Sequence, residues 1–305
     1  MQLPFSRVVW SLVSRRAWVL FAMMAVLWGI PYLLIRIAVR QLDPGVVVLA
    51  RTAPAALLLA PLVARRGQLR DVLTHWRWIV VFGVVEFGGP WYLMSSAEKH
   101  VTSSFTSLMI CAVPLFTLVM SRFSSSHEKL SPRRLGGLVV GALGVALLVG
   151  VNIHGDLRWV LMLLVVCVGY SVGPMILQHR LAGVPGPAVV FGATGVVAIA
   201  WAPYGALHWP AHVSLETVLA VLVLSVFCTA GAFLTFFELV KEAGANRSTV
   251  VVYSNTALAV LLGIALLHEP LTTSILIGFP LIMAGSYFAT SSDRHRRDAD
   301  LTVHQ

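Results

Sequence analysis

The sequence predicts an all-α polytopic membrane protein, with ten transmembrane helices arranged as two inverted five-helix repeats. Three observations predict it. Of 305 residues, 58% are hydrophobic and only 11% are charged, less than half of the ~25% that a soluble domain carries. The apolar residues gather in runs of about 20, the length that crosses a ~30 Å hydrocarbon core. The stretch HEKLSPRRLGGLVVGALG (127–144) recurs 141 residues later as HEPLTTSILIGFPLIMAG (268–285), with His127/His268, Glu128/Glu269, Leu130/Leu271, Gly137/Gly278 and Gly144/Gly285 coinciding. A mean hydropathy of +0.84 excludes a water-soluble globule.

In chain order, residues 1–16 (MQLPFSRVVWSLVSRR) set Phe5, Val8, Trp10 and Leu12 among three arginines, which suits a helix lying on an anionic leaflet. No small-residue cleavage site follows the first apolar run, which argues against a removed leader. The first repeat then covers 17–152, with spans at 17–39, 45–63, 78–95, 101–121 and 135–152. The second covers 159–290, with spans at 159–177, 187–206, 217–237, 248–267 and 273–290. Within the spans only Arg36, Arg51 and Glu86 are charged. The tail 291–305 is polar, short of apolar residues and expected to be disordered.

Charge fixes the expected orientation. With the N-terminus in the cytoplasm, cytoplasmic segments hold 17 of the 22 Lys and Arg and the opposite side holds 4, so both termini are expected inside. An odd number of spans per repeat makes the second copy enter the membrane from the other face. In secondary transporters of this plan the site lies near the midplane, between the halves.

Several function classes are excluded or disfavoured. The net charge of +9 is spread in short clusters between apolar runs, not gathered on one surface for nucleic acid. Cys111, Cys167 and Cys228 are far apart in sequence, suggesting neither a disulfide framework nor a Cys-based metal site, and no cofactor is expected. No Gly-x4-Gly-Lys-Ser/Thr loop is present for primary active transport. The ten histidines lie largely at span ends, loops or tails, and no two acids lie together within the spans, so an enzyme is not expected.

The candidate site residues are those that polar chemistry in lipid makes expensive. Glu86 stands mid-span, where an ionised acid costs at least ~2.5–3.5 kcal/mol unless paired, hydrated or protonated. It is either a substrate or proton group or a neutral packing acid. Pro90 cannot donate to the Glu86 carbonyl, and Gly88 and Gly89 loosen the same turn, so a bend is expected there. Arg51 lies roughly 9 Å below the outer end and Glu86 about 13 Å, at ~1.5 Å per residue. Arg51 is therefore placed to pair with Glu86, to grip a carboxylate substrate in two-point fashion, or to snorkel.

Trp28-Gly29 with Pro31, and Tyr170 with Gly173-Pro174, interrupt spans one and six at comparable depth, the best sequence pointer to a binding site. Trp28 and Tyr170 would wall it or stack on an organic cation. In span nine Thr249, Tyr253 and Thr256 share one face, beside Ser254 and Asn255. In span four Ser103, Ser107 and Pro114 are similar. Such stripes either contact substrate or hold helices together. Tyr92 completes the candidate set. His127-Glu128 and His268-Glu269 are expected to cap turns, Glu238 to join an interfacial ion cluster, Arg36 to sit at the interface, and the glycines of spans five and ten to pack closely as scaffold.

The chain resembles the ten-span EamA-type transporters of the drug/metabolite transporter superfamily from Trp18 to Thr290. The likeness is carried by VLWGIPYLLIRIAV (26–39), the Arg of VLARTAPAALLLAPL (48–62), PLFTLVMSRFSSSHEKLS (114–131) and GANRSTVVVYSNTALAVLLGIALLHEPLT (244–272). It departs from the family pattern in having Thr256 for Pro, His127 and His268 for the Gly before each Glu, and Tyr170 for Trp. The resemblance implies an inner-membrane carrier that exports small metabolites. The expected mechanism is alternating access, with proton exchange through Glu86 as the driving force. A lipid or lipid-linked-sugar flippase, or a passive facilitator, is the alternative of the same architecture. Expected partners are a small-molecule substrate, the lipid bilayer and, as an open option, a second copy of the chain, with no nucleic acid.

Overall fold

The computed structural model describes residues 14–121, 131–152, 157–243, 248 and 251–290, and among them there is no strand. Residues 1–13, the His127-Glu128 pair, Thr249 and the tail 291–305 lie outside the described residues. The apolar runs become ten helices: α1 (Arg15–Ala38), α2 (Pro44–Arg65), α3 (Trp76–Glu98), α4 (Ser103–Ile110 continued by Val113–Ser121), α5 (Pro132–Asn152), α6 (Leu157–Arg180), α7 (Gly186–His208), α8 (Leu215–Ala243), α9 (Val251–Leu267) and α10 (Thr273–Thr290). The 17 residues of α9 reach about 26 Å at 1.5 Å each, the short limit for a spanning helix.

Local chemistry starts the helices where hydropathy alone would leave their ends open. Ser14, Asp43, Thr102 and Ser214 each accept a hydrogen bond from a first-turn N–H, at 3.0, 3.1, 3.1 and 3.3 Å, satisfying donors that have no partner within the helix. Pro44 follows Asp43 at the start of α2, where a missing N–H costs nothing.

The packing is related by an exchange of halves. Helices α1 and α9 pack as α6 and α4 do, α3 and α7 as α8 and α2, and α1 and α8 as α6 and α3, while α2–α7 and α5–α10 pair across the divide. The scaffold reading of the glycines holds in α5 and α10. A Cβ on Gly144 would sit 2.9 Å from the Ile282 nitrogen, and one on Gly285 would collide with the Gly141 backbone.

Two ends result. The basic end gathers the start of α1 and the end of α8, joined by Arg16 and Glu238 at 3.2 Å, with Lys241 on the same carboxylate at 2.9 Å, the ion cluster expected of Glu238. The far end gathers Asp43, Lys99 and Tyr204. There Tyr204 donates to Asp43 at 2.8 Å and Lys99 lies 3.8 Å from it.

Candidate functional site

The halves mirror one another most closely in their broken helices. Pro31 lies within α1 and Pro174 within α6, and α3 and α8 each contain a π-helical turn, at Gly83–Gly88 and Val226–Gly231. Positions 31 and 174, 83 and 226, 86 and 229, and 51 and 194 are all 143 apart. Glu86 and Thr229 are therefore equivalents in the two π turns. A π turn adds one residue to the helix and rotates the side chains that follow.

In α8 that turn makes the hydrogen bonds of the Arg51 site. The Thr229 hydroxyl donates to the Leu224 carbonyl, five residues back, at 2.9 Å, and its oxygen accepts from Arg51 Nε at 2.9 Å. Arg51 is buried at 5% exposure. Its guanidinium carbon lies 3.6 Å from the centre of the Trp91 ring, a cation–π arrangement. The two Nη nitrogens donate no hydrogen bond among the described residues, and neither is sealed from water.

Behind Trp91 runs an aromatic ladder. Trp91 stacks on Phe87 at 4.6 Å, Phe87 meets the edge of Phe233 at 5.2 Å, and Phe233 meets Trp28 at 5.8 Å. Trp28 also packs against Phe236 at 4.9 Å. Helices α1, α2, α3 and α8 thus share one wall. Tyr170 joins it from α6, close enough to Trp91, Arg51 and Glu86 to interact electrostatically with each. Trp28, Glu86, Tyr170 and Tyr253 stay partly exposed although they lie within spans.

The Arg51–Glu86 pair, one of the options for Arg51, does not form. The π turn aims the Glu86 carboxyl at α6, where it lies against the Cα of Gly173 and would overlap any side chain there. Oxygen Oε2 is sealed and has no hydrogen-bond partner. Arg51 turns instead to Thr229 and Trp91. Just before Pro90 the helix departs from α geometry, where the π turn ends.

Other sequence candidates are placed elsewhere. Thr256 donates to the Val252 carbonyl at 2.8 Å and to the Ser107 carbonyl at 3.4 Å, while Ser107 donates to Ser104 at 2.9 Å; both are buried in the α4–α9 seam. Asn255 is buried beside Thr256, with its own carbonyl against Gly29 of α1. Tyr92 faces away from Trp91 and stacks on Trp201 of α7 at 4.9 Å. Arg36 is half-buried and donates to the Glu98 carbonyl. Glu269 caps a helix, as read, but one in the other half: it accepts from the N–H and hydroxyl groups of Ser103 and Ser104 at the start of α4.

Sequence reasoning missed Thr229, Trp91, Phe87 and Glu98. Thr229 lies two positions beyond the 141-residue offset of the His-Glu repeat, and the two π turns bring it into register with Glu86. Glu98 lies past the end of the apolar run at 95, where it reads as part of a loop.

The two ends of the molecule are packed unequally. Every residue of Ser103–Ile110, which opens α4 at the far end, is buried, whereas in Val251–Leu258, at the basic end of α9, only Val251, Asn255 and Thr256 are buried.

Ten apolar helices in two matched halves, with prolines and π turns at matched positions beside the buried Arg51, define a polytopic membrane transporter of internal-repeat architecture. The chain belongs to the EamA-like transporter family, whose model matches twice, over residues 16–150 and 157–291. It is 25% identical over 307 residues to a protein of Salmonella typhimurium named a probable amino-acid metabolite efflux pump, covering 94% of this chain and 99% of that one. It is 27% identical over 253 residues to the Escherichia coli K12 protein named uncharacterized inner membrane transporter YedA, covering 81% of each. A crystal structure 22% identical in sequence superposes with a TM-score of 0.64, covering 90% of this chain and 96% of the other, which shows the shared fold. The protein is a multi-pass membrane transporter.

Proposed function

We propose that the protein is a secondary transporter exporting small carboxylate-bearing metabolites, with Arg51 as the anchor for the carboxylate. The observation that carries this is a buried guanidinium, fixed at one edge by Thr229 and on one face by Trp91, with both Nη groups unengaged. A planar fork held in that way matches a carboxylate at two points. The aromatic ladder and Tyr170 offer the apolar wall that the rest of an amino-acid-like molecule would need. The name of the Salmonella relative agrees with this class.

The transport cycle is alternating access between the repeats 17–152 and 159–290, with the basic end and both termini in the cytoplasm, as the charge asymmetry supports. The start of α4, buried throughout at the far end, fits a conformation closed on that side and facing the cytoplasm. Glu86, an acid with one sealed and unpartnered oxygen beside Tyr170, is the group that exchanges the driving proton.

The test is counterflow in liposomes of an amino acid and of its neutral amide. Arg51→Lys keeps the charge but loses the fork and the flat face on Trp91. It should lower uptake of the acid at least about tenfold relative to the amide, the effect of about 1.4 kcal/mol of lost recognition. An unchanged acid-to-amide ratio would remove Arg51 from the site.

A further inference from the structure

Glu98 closes α3 at the far end, and nothing in the proposed cycle uses it. The residue is 0% exposed, and neither carboxyl oxygen has a hydrogen-bond partner. Its main chain is engaged, since the carbonyl accepts from Arg36; its side chain is not. A carboxylate in this place would lack donor and water alike, and it sits at a helix C-terminus, where free carbonyls add partial negative charge.

None of the charged and titratable neighbours donates a hydrogen bond to its carboxyl oxygens. From α1 come Tyr32 and Arg36, from α2 Arg51, and from the α9–α10 turn Glu269. Arg36 donates to the main-chain carbonyl of Glu98, Arg51 donates its Nε to Thr229, and both attract the carboxyl group through space without a hydrogen bond to it, while Glu269 repels. Helix α4 brings Cys111, and α6 brings Cys167 and Tyr170, all of which reach Tyr32 rather than Glu98. Lys99 turns outward to Asp43. Two acids at one end are thus treated in opposite ways. Glu269 holds four donors at 2.5–2.9 Å, while Glu98 holds none.

We infer that Glu98 is a proton-binding site that operates the far-end gate. Protonated, it fits a site sealed from water. When the proton leaves to water, the remaining charge has neither solvent nor hydrogen-bond donor while the end is closed, and the Glu269 carboxyl group repels it. The α3–α4 and α9–α10 turns then part, and water enters to solvate it. This site is separate from Glu86, which lies in the π turn twelve positions earlier. The inference rests on the transporter reading only in needing a far end that opens. No substrate is required to see it.

The experiment uses the full chain in detergent, with Cys111, Cys167 and Cys228 replaced and Val46, 0% exposed at the start of α2, changed to Cys. Maleimide labelling of that cysteine is followed across about pH 5 to 9. It is divided by the rate at an exposed reference, Ala211→Cys, because thiolate content also rises with pH. The relative rate should climb at least about tenfold with pH when Glu98 is present. It should stay low and flat in Glu98→Gln and climb again in Glu98→Asp. Glu98→Gln should melt no lower than its parent, because the neutral amide copies the protonated acid. A pH climb that survives in Glu98→Gln, a flat profile in the parent, or a clear loss of stability in Glu98→Gln overturns the inference. If Arg51-dependent counterflow persists alongside such a result, only the gate is lost; if the gate titrates while the acid-to-amide ratio ignores Arg51, only the substrate reading is lost.

Discussion

Replacing Glu269 with Ala should destabilise the protein by about 2–6 kcal/mol, for reasons that can be counted at one helix terminus. The first N–H groups of α4 have no intrahelical acceptor. Thr102 takes one of them, that of Phe105, and Glu269 takes those of Ser103 and Ser104 at 2.7 and 2.9 Å. The carboxylate is 9% exposed, so water does not readily replace it. Each buried N–H left without a partner costs ~1–3 kcal/mol, and losing an anion at a helix N-terminus costs a further fraction of a kcal/mol or more. The two serine hydroxyls can rotate to other acceptors and are counted as nearly neutral. Glu269→Gln keeps one oxygen but turns an NH2 group toward donors, so about half the loss is expected. Equilibrium unfolding in mixed micelles measures the change, and amide exchange at Ser103 and Ser104 should accelerate with it. If Glu269→Ala stays within ~0.5 kcal/mol of the parent, the range of an ordinary surface substitution, the capping argument is wrong.

Three further outcomes follow from other parts of the structure. His268 has φ +54, a left-handed conformation that costs a non-glycine residue roughly 1–2 kcal/mol; His268→Gly should recover about 1 kcal/mol in the same unfolding assay. Glu86→Gln should abolish stimulation of substrate flux by a pH gradient in liposomes while leaving counterflow measurable, and gradient-driven flux equal to the parent's would end its proton role. Gly285→Leu should cost more than the ~1–3 kcal/mol of ordinary overpacking, because it meets backbone, whereas Gly136→Ala, where an added Cβ touches nothing within 4 Å, should be neutral or stabilising by up to ~1 kcal/mol.

The spans and their order were legible because lipid imposes them through local rules: length and charge exclusion act within about twenty positions. The five coincidences around His127 and His268 carried the repeat, and the departure from Gly at His268 was visible as a departure, though its strained φ was not. What stayed hidden was rotation about helix axes. Depth along α2 and α3 placed Arg51 and Glu86 within reach, but a single inserted residue in the π turn swung the acid toward α6. Stacking has the same character: Tyr92 and Trp91 are adjacent in sequence and face opposite neighbours. Glu98 escaped notice because the burial of a residue beyond an apolar run depends on how the far-end turns close over it.

The two π turns bear on mechanism through their unequal contents. Equivalent backbone distortions at 83–88 and 226–231 give both halves the same ability to present a side chain away from the regular helical face. If the turns served only to bend the helices, similar side chains at the equivalent positions would do. Instead position 86 holds an acid and position 229 a threonine, and the equivalents in α2 and α7 are Arg51 and Thr194. Both ionisable members fall in the first half, while Thr194 returns its hydroxyl to its own helix at the Val190 carbonyl, 2.7 Å away. The first half therefore carries charge and the second answers with neutral donors, acceptors and aromatic faces. In the proposed cycle such a division would let one repeat hold the substrate's carboxylate while neutral groups at the equivalent positions of the other move past it.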